Sequence, residues 1–417
     1  MKTLSKNIVI CADGTGNSYF GPKTNVLQLF EMALKQHDRQ IACYDPGIGT
    51  LPLPSGRSEL GRKLRHWKEL GLGTGIMDNV ADLYRYLMCH YRDGDRVFLF
   101  GFSRGAFTVR ALAGMLHFCG LISVEDQHLL PYVTGLYLSA EDRISRVIRA
   151  QRHVAHLPDA NADHAVFDDE AATFRANKLS RSCPVHFLGV WDTVKAYGWF
   201  VPRSFPSLRH NPSVGIVRHA VALDEQRSPF QVTGWGTRGE TVKEVWFAGD
   251  HADVGGGHPD GSPLADAALL WMLGEATTPE AGLLLNQSFE SAVTALQSRA
   301  ARAAMTTPHN LRPDKFWILD YIPKQELDNS VYPPYRLWRA GKRGIRKPAD
   351  HDEHAEVVIH HSVAARASLD SSYDAAALLA RSRHLQRKVT IRKEPEQDRP
   401  IEPAAWVSSD GALEETP

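Results

Sequence analysis

The N-terminal part of the chain alternates between two hydrophobic periods. Short continuous apolar runs, "NIVICA", "QIACY" and "RVFLFGF", close on aspartate, glycine or serine, as strands buried on both faces do. Between them, apolar residues recur every three or four positions: Val26, Leu29, Phe30, Ala33 and Leu34 in one stretch, Val80, Leu83, Leu87 and Tyr91 in another. Those spacings predict helices with one buried face. The order strand, helix, strand, loop, helix, strand predicts an α/β fold, a mainly parallel sheet with helices on both faces. Beyond residue 182 the pattern resumes with a strand in "CPVHFLGVWDTV", a helix in "VGIVRHAVALDEQ" and a strand in "EVWFAGDHADVGGG".

The remaining segments suggest a division of the chain. Residues 125–182 are polar, charged and helix-prone without a strand pattern, and are expected to form a helical insertion in a core spanning 1–275. Residues 276–395 are expected to form a mostly helical C-terminal lobe packing on the core. Within it, a helical stretch runs from Pro279 to about Ala304, "DKFWILDYI" is aromatic-rich, and "VYPPYRLWRAGKRGIR" reads as a basic surface arm. "EVVIHHSVAARAS" and "SYDAAALLARSRHL" follow as a strand and helices. Residues 396–417 have the composition of a flexible tail.

Composition narrows the function classes. The 417 residues exceed the roughly 250–300 at which a single core stops growing, so a core with an added lobe and room for a buried site is expected. With 48 basic and 48 acidic side chains the formal charge is zero, which argues against nucleic acid as a partner. The five cysteines are widely spaced with no CxxC pair, and read as reduced, buried thiols rather than a disulfide framework or a zinc cage. The first apolar run reaches Asp13 too soon for a signal peptide, and no segment approaches the roughly 18 apolar residues of a membrane span. A protein that is soluble and cytoplasmic as synthesised is expected.

Four strand-like runs end in polar clusters at Asp13, Ser103, Asp192 and His251. In open α/β sheets ligands bind beyond the carboxyl ends of the strands, so these clusters are expected to share one crevice. Ser103 lies in Gly101-Phe102-Ser103-Arg104-Gly105, between a strand and a helix, where flanking glycines permit the tight turn that exposes a nucleophilic serine. The Arg104 backbone N–H is expected to donate to an oxyanion there, with a second donor from Gly14, Thr15 or Gly16 in "ADGTGN". A serine needs a base and the base an orienting acid, in the chain order serine, acid, histidine. Asp192 and His251 fall in that order. Asp224 is the reserve acid, and His219 and His258 are weaker bases by position.

The chemistry these residues predict is acyl transfer in a serine hydrolase, with no metal or cofactor. A phosphatase using a strand-terminal aspartate nucleophile is disfavoured, because that position holds Cys11. After Asp192, "VKAYGWFVPRSFPSL" brings Trp199, Phe200 and Val201 close to the chemistry in sequence, as candidates for an acyl pocket or for contact with a membrane surface. The Arg104 side chain is expected to form an internal salt bridge. The run from Asp159 to Glu170 has calcium-loop spacing, but His164 takes the glycine position and an acidic solvated loop is expected. A soluble carboxylesterase of small substrates and a non-catalytic interaction protein stand as alternative readings.

"ADGTGN", "GFSRGAFTVRALAG", "FLGVWDTV", "RHAVALDEQR" and "WFAGDHADVGGG", in this order, resemble the bacterial and fungal α/β-hydrolase family that includes the type VI secretion lipase effectors of family one. The similarity is motif-dense from Lys6 to Met272. It implies an α/β-hydrolase fold and a triad falling on Ser103, Asp192 and His251. For the effectors it implies phospholipase activity on membrane glycerophospholipids, delivery by a dedicated secretion system, and an immunity or delivery protein as partner.

Overall fold

The computed structural model describes residues 5–14, 21–47, 75–139, 173–175, 179–194, 211–227, 230, 232–235, 241–309, 323–328, 335–340, 357–369, 373, 391–393, 400–401 and 403–408. Eight parallel strands form the central sheet: β1 (Asn7–Ala12), β2 (Gln40–Asp45), β3 (Arg96–Phe102), β4 (Val185–Trp191), β5 (Val214–Ala222), β6 (Val242–Phe247), β7 (Val357–Ile359) and β8 (Ile391–Lys393). Their spatial order is β8-β7-β6-β5-β4-β3-β1-β2. The chain therefore steps outward from β1 to β2, then crosses back to β3 on the other side of β1. That reversal makes the carboxyl ends of β1 and β3 the topological switch point, where an open α/β sheet leaves a crevice.

Alternate residues of each strand feed two separate cores. Ile8 and Ile10 of β1 and Val97 and Leu99 of β3 face the core made with α2 (Ile76–His90) and α3 (Arg104–Cys119). Val9, Cys11, Phe98 and Phe100 face the opposite core, with α1 (Asn25–Met32) and α5 (Pro263–Ala276). A sheet buried on both faces needs strands that are apolar throughout, and β1 and β3 have that character. Two further helices, α4 (His251–Gly255) and α6 (Glu290–Ala300), follow β6 and α5.

Two predicted elements differ from what is observed. "VGIVRHAVA" is the interior strand β5, not a helix. Its β-branched residues favour a strand, and its adjacent polar pair obscured the buried pattern because each partner lies on another element: Arg218 bonds Glu275 on α5, and His219 bonds Glu244 on β6. The stretch from Pro279 is α-helical only from Glu290, because Leu283 and Leu285 are buried before it and Leu285 lies in a short strand. From the C-terminal part, β7 and β8 extend the central sheet and α7 (His361–Leu369) follows β7. "DKFWILDYI", the run 374–387 and the run from Asp159 to Glu170 lie outside the described residues.

One ion cluster ties α5 to the sheet. Glu275, only 2% exposed, accepts from Arg218 and, at 2.7 Å, from Lys243 Nζ. Burial pushes its carboxyl up, but the two cations outweigh burial and hold it below its ordinary value of 4.5. A depressed carboxyl stabilises the fold above its unfolded pKa, and that contribution is lost as pH falls through the folded one. Glu275→Gln is therefore expected to cost about 2–3 kcal/mol at pH 7. In urea unfolding, the gap from wild type closes as pH drops from about 5 to below 4.

Candidate active site

The elbow is built by β3 running without a break into α3. Ser103 sits between them at φ 58° and ψ −119°, a left-handed conformation that a non-glycine residue adopts only under tertiary constraint. Gly101 and Gly105 are the constraint's other half. A Cβ on Gly101 would lie 2.6 Å from Ala106 Cα, and one on Gly105 would fall inside the Ala12 carbonyl and 2.6 Å from the Asp13 oxygen. Only glycine lets α3 press this closely against its own strand and β1.

Ser103, His251 and Asp192 form one continuous hydrogen-bonded chain. Ser103 Oγ is 2.7 Å from His251 Nε2, and His251 Nδ1 is 2.5 Å from Asp192 Oδ2. Asp192 ends β4 at φ 39° and is wholly buried. Its other oxygen accepts from the Ala222 N–H at 3.0 Å, which fixes the carboxylate plane and supports its charged form. His251 opens α4. Its N–H donates to Glu225 at 3.2 Å, and its ring lies between Phe102 and Phe230 at centroid distances of 4.6 and 4.8 Å. Backbone bond and aromatic walls leave the imidazole little freedom to leave the line.

The reserve candidates lie elsewhere. Asp224 accepts from Gly249 N–H and Tyr373 O–H, not from His251, and burial pushes its carboxyl up to about 6. His219 lies on β5, where its Nε2 accepts from the Thr193 N–H and its Nδ1 faces Glu244 at 3.0 Å. Glu244 also accepts from Trp235 N–H, so this second buried pair braces the turn directly after Asp192. His258 faces Asp250 and Asp253.

The oxyanion candidates divide. The Arg104 N–H stands at the first position of α3, where no intrahelical acceptor exists and the helix presents its positive end. Among the described residues no carboxylate pairs with the Arg104 side chain, so the expected salt bridge is not found. Burial pushes its guanidinium down to about 10. The Gly14 N–H is already bonded to Asp13 Oδ1 at 2.7 Å. Asp13 is held in turn by the Thr24 and Tyr44 hydroxyls, and Tyr44 is pushed well above its ordinary range, first by burial and then by Asp13. Thr15, Gly16, Trp199, Phe200 and Val201 lie outside the described residues.

Sequence reasoning missed Glu225, Phe230 and the His219–Glu244 pair. Their spacing carries no motif, because they act through strands that become neighbours only in the sheet. "ALDEQ" offers an acidic pair close to a strand end, which is as much signal as the sequence holds for Glu225.

Fold and site together define an α/β protein carrying a serine–histidine–aspartate chain at the carboxyl ends of its strands. Residues 6–275 match the family described as the type VI secretion phospholipase effector Tle1-like catalytic domain, and the chain belongs to that family. The chain is also similar to an uncharacterized protein of Saccharomyces cerevisiae, at 32% identity over 237 residues that span 54% of this chain and 32% of the yeast protein. It therefore matches about a third of that relative's length. A solved structure of an uncharacterized protein from Pseudomonas aeruginosa aligns over 73% of this chain and 51% of its own, at 17% identity and a TM-score of 0.38. Among the described residues no helix is long and apolar enough to cross a membrane.

Proposed function

We propose that the protein is a serine hydrolase of the α/β-hydrolase type that cleaves the carboxylic esters of glycerophospholipids. The observation that carries this reading is the unbroken line from Ser103 Oγ through His251 to Asp192, at 2.7 and 2.5 Å. In the proposed sequence His251 Nε2 takes the Ser103 proton as Oγ attacks the ester carbonyl. Asp192 holds the imidazole tautomer and stabilises its charged form. The Arg104 N–H donates to the tetrahedral oxyanion, and, with the Gly14 N–H taken by Asp13, a second donor is assigned to Thr15 or Gly16. The imidazolium returns its proton to the departing alcohol, leaving an acyl-serine. Water, deprotonated by the same histidine, then releases the fatty acid and restores Ser103.

Trp199, Phe200 and Val201 are assigned to the acyl chain because they follow Asp192 within ten residues in sequence. Family membership favours phospholipid over small esters and makes a secreted effector with a cognate immunity or delivery partner the reading to test. Fatty-acid release from phosphatidylcholine and phosphatidylethanolamine vesicles, run beside hydrolysis of a short-chain ester, tests the substrate class. Cleavage of vesicles is expected; cleavage of the short ester alone removes the lipid assignment.

Asp192→Asn separates orientation from charge at the same shape. The amide donates where the carboxylate accepts, which favours the wrong imidazole tautomer, and kcat is expected to fall by about 10⁴-fold. An unchanged kcat in a folded variant would remove Asp192 from the mechanism.

A further inference from the structure

We infer that Asp253, His258 and His309 form a binding site for one divalent transition metal ion of the zinc type. The three side chains come from three places in the chain: Asp253 from α4, His258 from the turn after it, and His309 from beyond α6. Each offers one ligand atom, and all three atoms lie within 4.8 Å of one another. Asp253 Oδ1 is 2.6 Å from His309 Nδ1 and 3.7 Å from His258 Nε2. Ligands sharing one tetrahedral zinc at about 2.0–2.1 Å stand roughly 3.3–3.5 Å apart. Both carboxylate–imidazole separations are within an ångström of that spacing, and the proton shared between His309 and Asp253 leaves to solvent as the ion enters.

The surroundings fit a metal centre in three respects. Two imidazoles and one carboxylate suit zinc and its neighbours better than calcium or magnesium, which prefer oxygen alone. The ligands have outer partners: His309 Nε2 faces Asp260 at 3.4 Å, and the Ser262 hydroxyl donates to Asp253 Oδ1 at 2.9 Å. A carboxylate on the far nitrogen of a ligating histidine is the usual way its ring is oriented. Asp250 Oδ1, 3.4 Å from His258 Nε2, brings a third carboxylate to the cluster, and Asp253 and Asp250 are almost wholly buried. Three negative charges beside two imidazoles favour a cation. A cavity of about 520 Å³, lined in part by His258, Asp260, Gly261 and Ser262, opens onto the cluster as an entry path.

The two imidazoles lie face to face at a centroid distance of 3.7 Å, so binding splays the rings until both nitrogen lone pairs converge on the ion. Asp253 lies two residues after His251 in the same five-residue helix. An ion here would tie residue 309 to the element that carries His251, without itself touching the ester. Nothing in this inference depends on the hydrolase reading.

The test uses the full chain without a polyhistidine tag, freed of metal by a chelator. Titration with Zn²⁺ is followed by calorimetry and titration with Co²⁺ by visible absorption. The expected result is one ion per chain, with Kd on the order of 1 μM or below and four-coordinate cobalt bands. His258→Gln with His309→Gln is expected to weaken binding by at least about a hundredfold. Circular dichroism checks that the variant folds, and His258→Gln alone serves if the double variant does not. Folded wild-type protein that takes up no stoichiometric ion overturns the inference. Equal affinity in the folded variant overturns it as well, by assigning the ion to other histidines.

Discussion

Ser103→Ala is expected to lower ester turnover by on the order of 10⁴- to 10⁶-fold while leaving the fold intact. The substitution removes the oxygen that faces His251 Nε2 at 2.7 Å. With Oγ gone, no covalent acyl intermediate forms, and residual rate comes only from binding and oxyanion stabilisation. The fold has little reason to change: alanine bears the same φ of 58° as serine, and the backbone bond from Ser103 N–H to Trp191 is retained. The imidazole keeps its carboxylate partner and its aromatic walls. A shift in Tm of no more than about 2–4 °C is expected, so kcat/KM and Tm measured together separate chemistry from stability. A folded Ser103→Ala variant with undiminished turnover would exclude Ser103 as nucleophile.

Gly105→Ala is expected to impair folding strongly. The new Cβ meets main-chain atoms: the Ala12 carbonyl, and the Asp13 oxygen at 2.6 Å. Ala12 lies in register with Gly101 of β3 and Asp45 of β2, so β1 is held from both sides. The clash is relieved only by lifting α3 from the sheet, which also displaces Ser103. Overpacking of this kind costs about 3 kcal/mol or more. Reduced soluble yield and a Tm lowered by roughly 6–12 °C are expected. Gly135→Ala, at a helical position where a Cβ would meet nothing within 4 Å, provides a measure of what a methyl does by propensity alone.

The fold was legible where local pattern and tertiary role agree. β1 and β3 are apolar on both faces because both faces are covered, and a continuous apolar run expresses that directly. The candidate site was legible at the strand ends for a related reason. Ser103, Asp192 and His251 each follow an apolar run, and parallel pairing brings such ends to one side of the sheet. β5 was misread because Arg218 and His219 are polar inside a buried strand. Their partners, Glu275 and Glu244, are distant in sequence, so no local pattern shows that these charges are satisfied. The role of Asp13 was equally hidden. Its carboxylate occupies the Gly14 N–H that sequence reasoning assigned to an oxyanion, and it does so because Thr24 and Tyr44 hold it in place.

The assignment of Ser103 as an activated nucleophile is tested most directly by intact mass spectrometry after treatment with a fluorophosphonate. Wild-type protein is expected to gain a single phosphonyl adduct, mapped by peptide sequencing to Ser103. His251→Ala should label at least about a hundredfold more slowly, and Ser103→Ala should not label. A folded wild-type chain that stays unlabelled, or carries its adduct on another serine, would contradict the assignment.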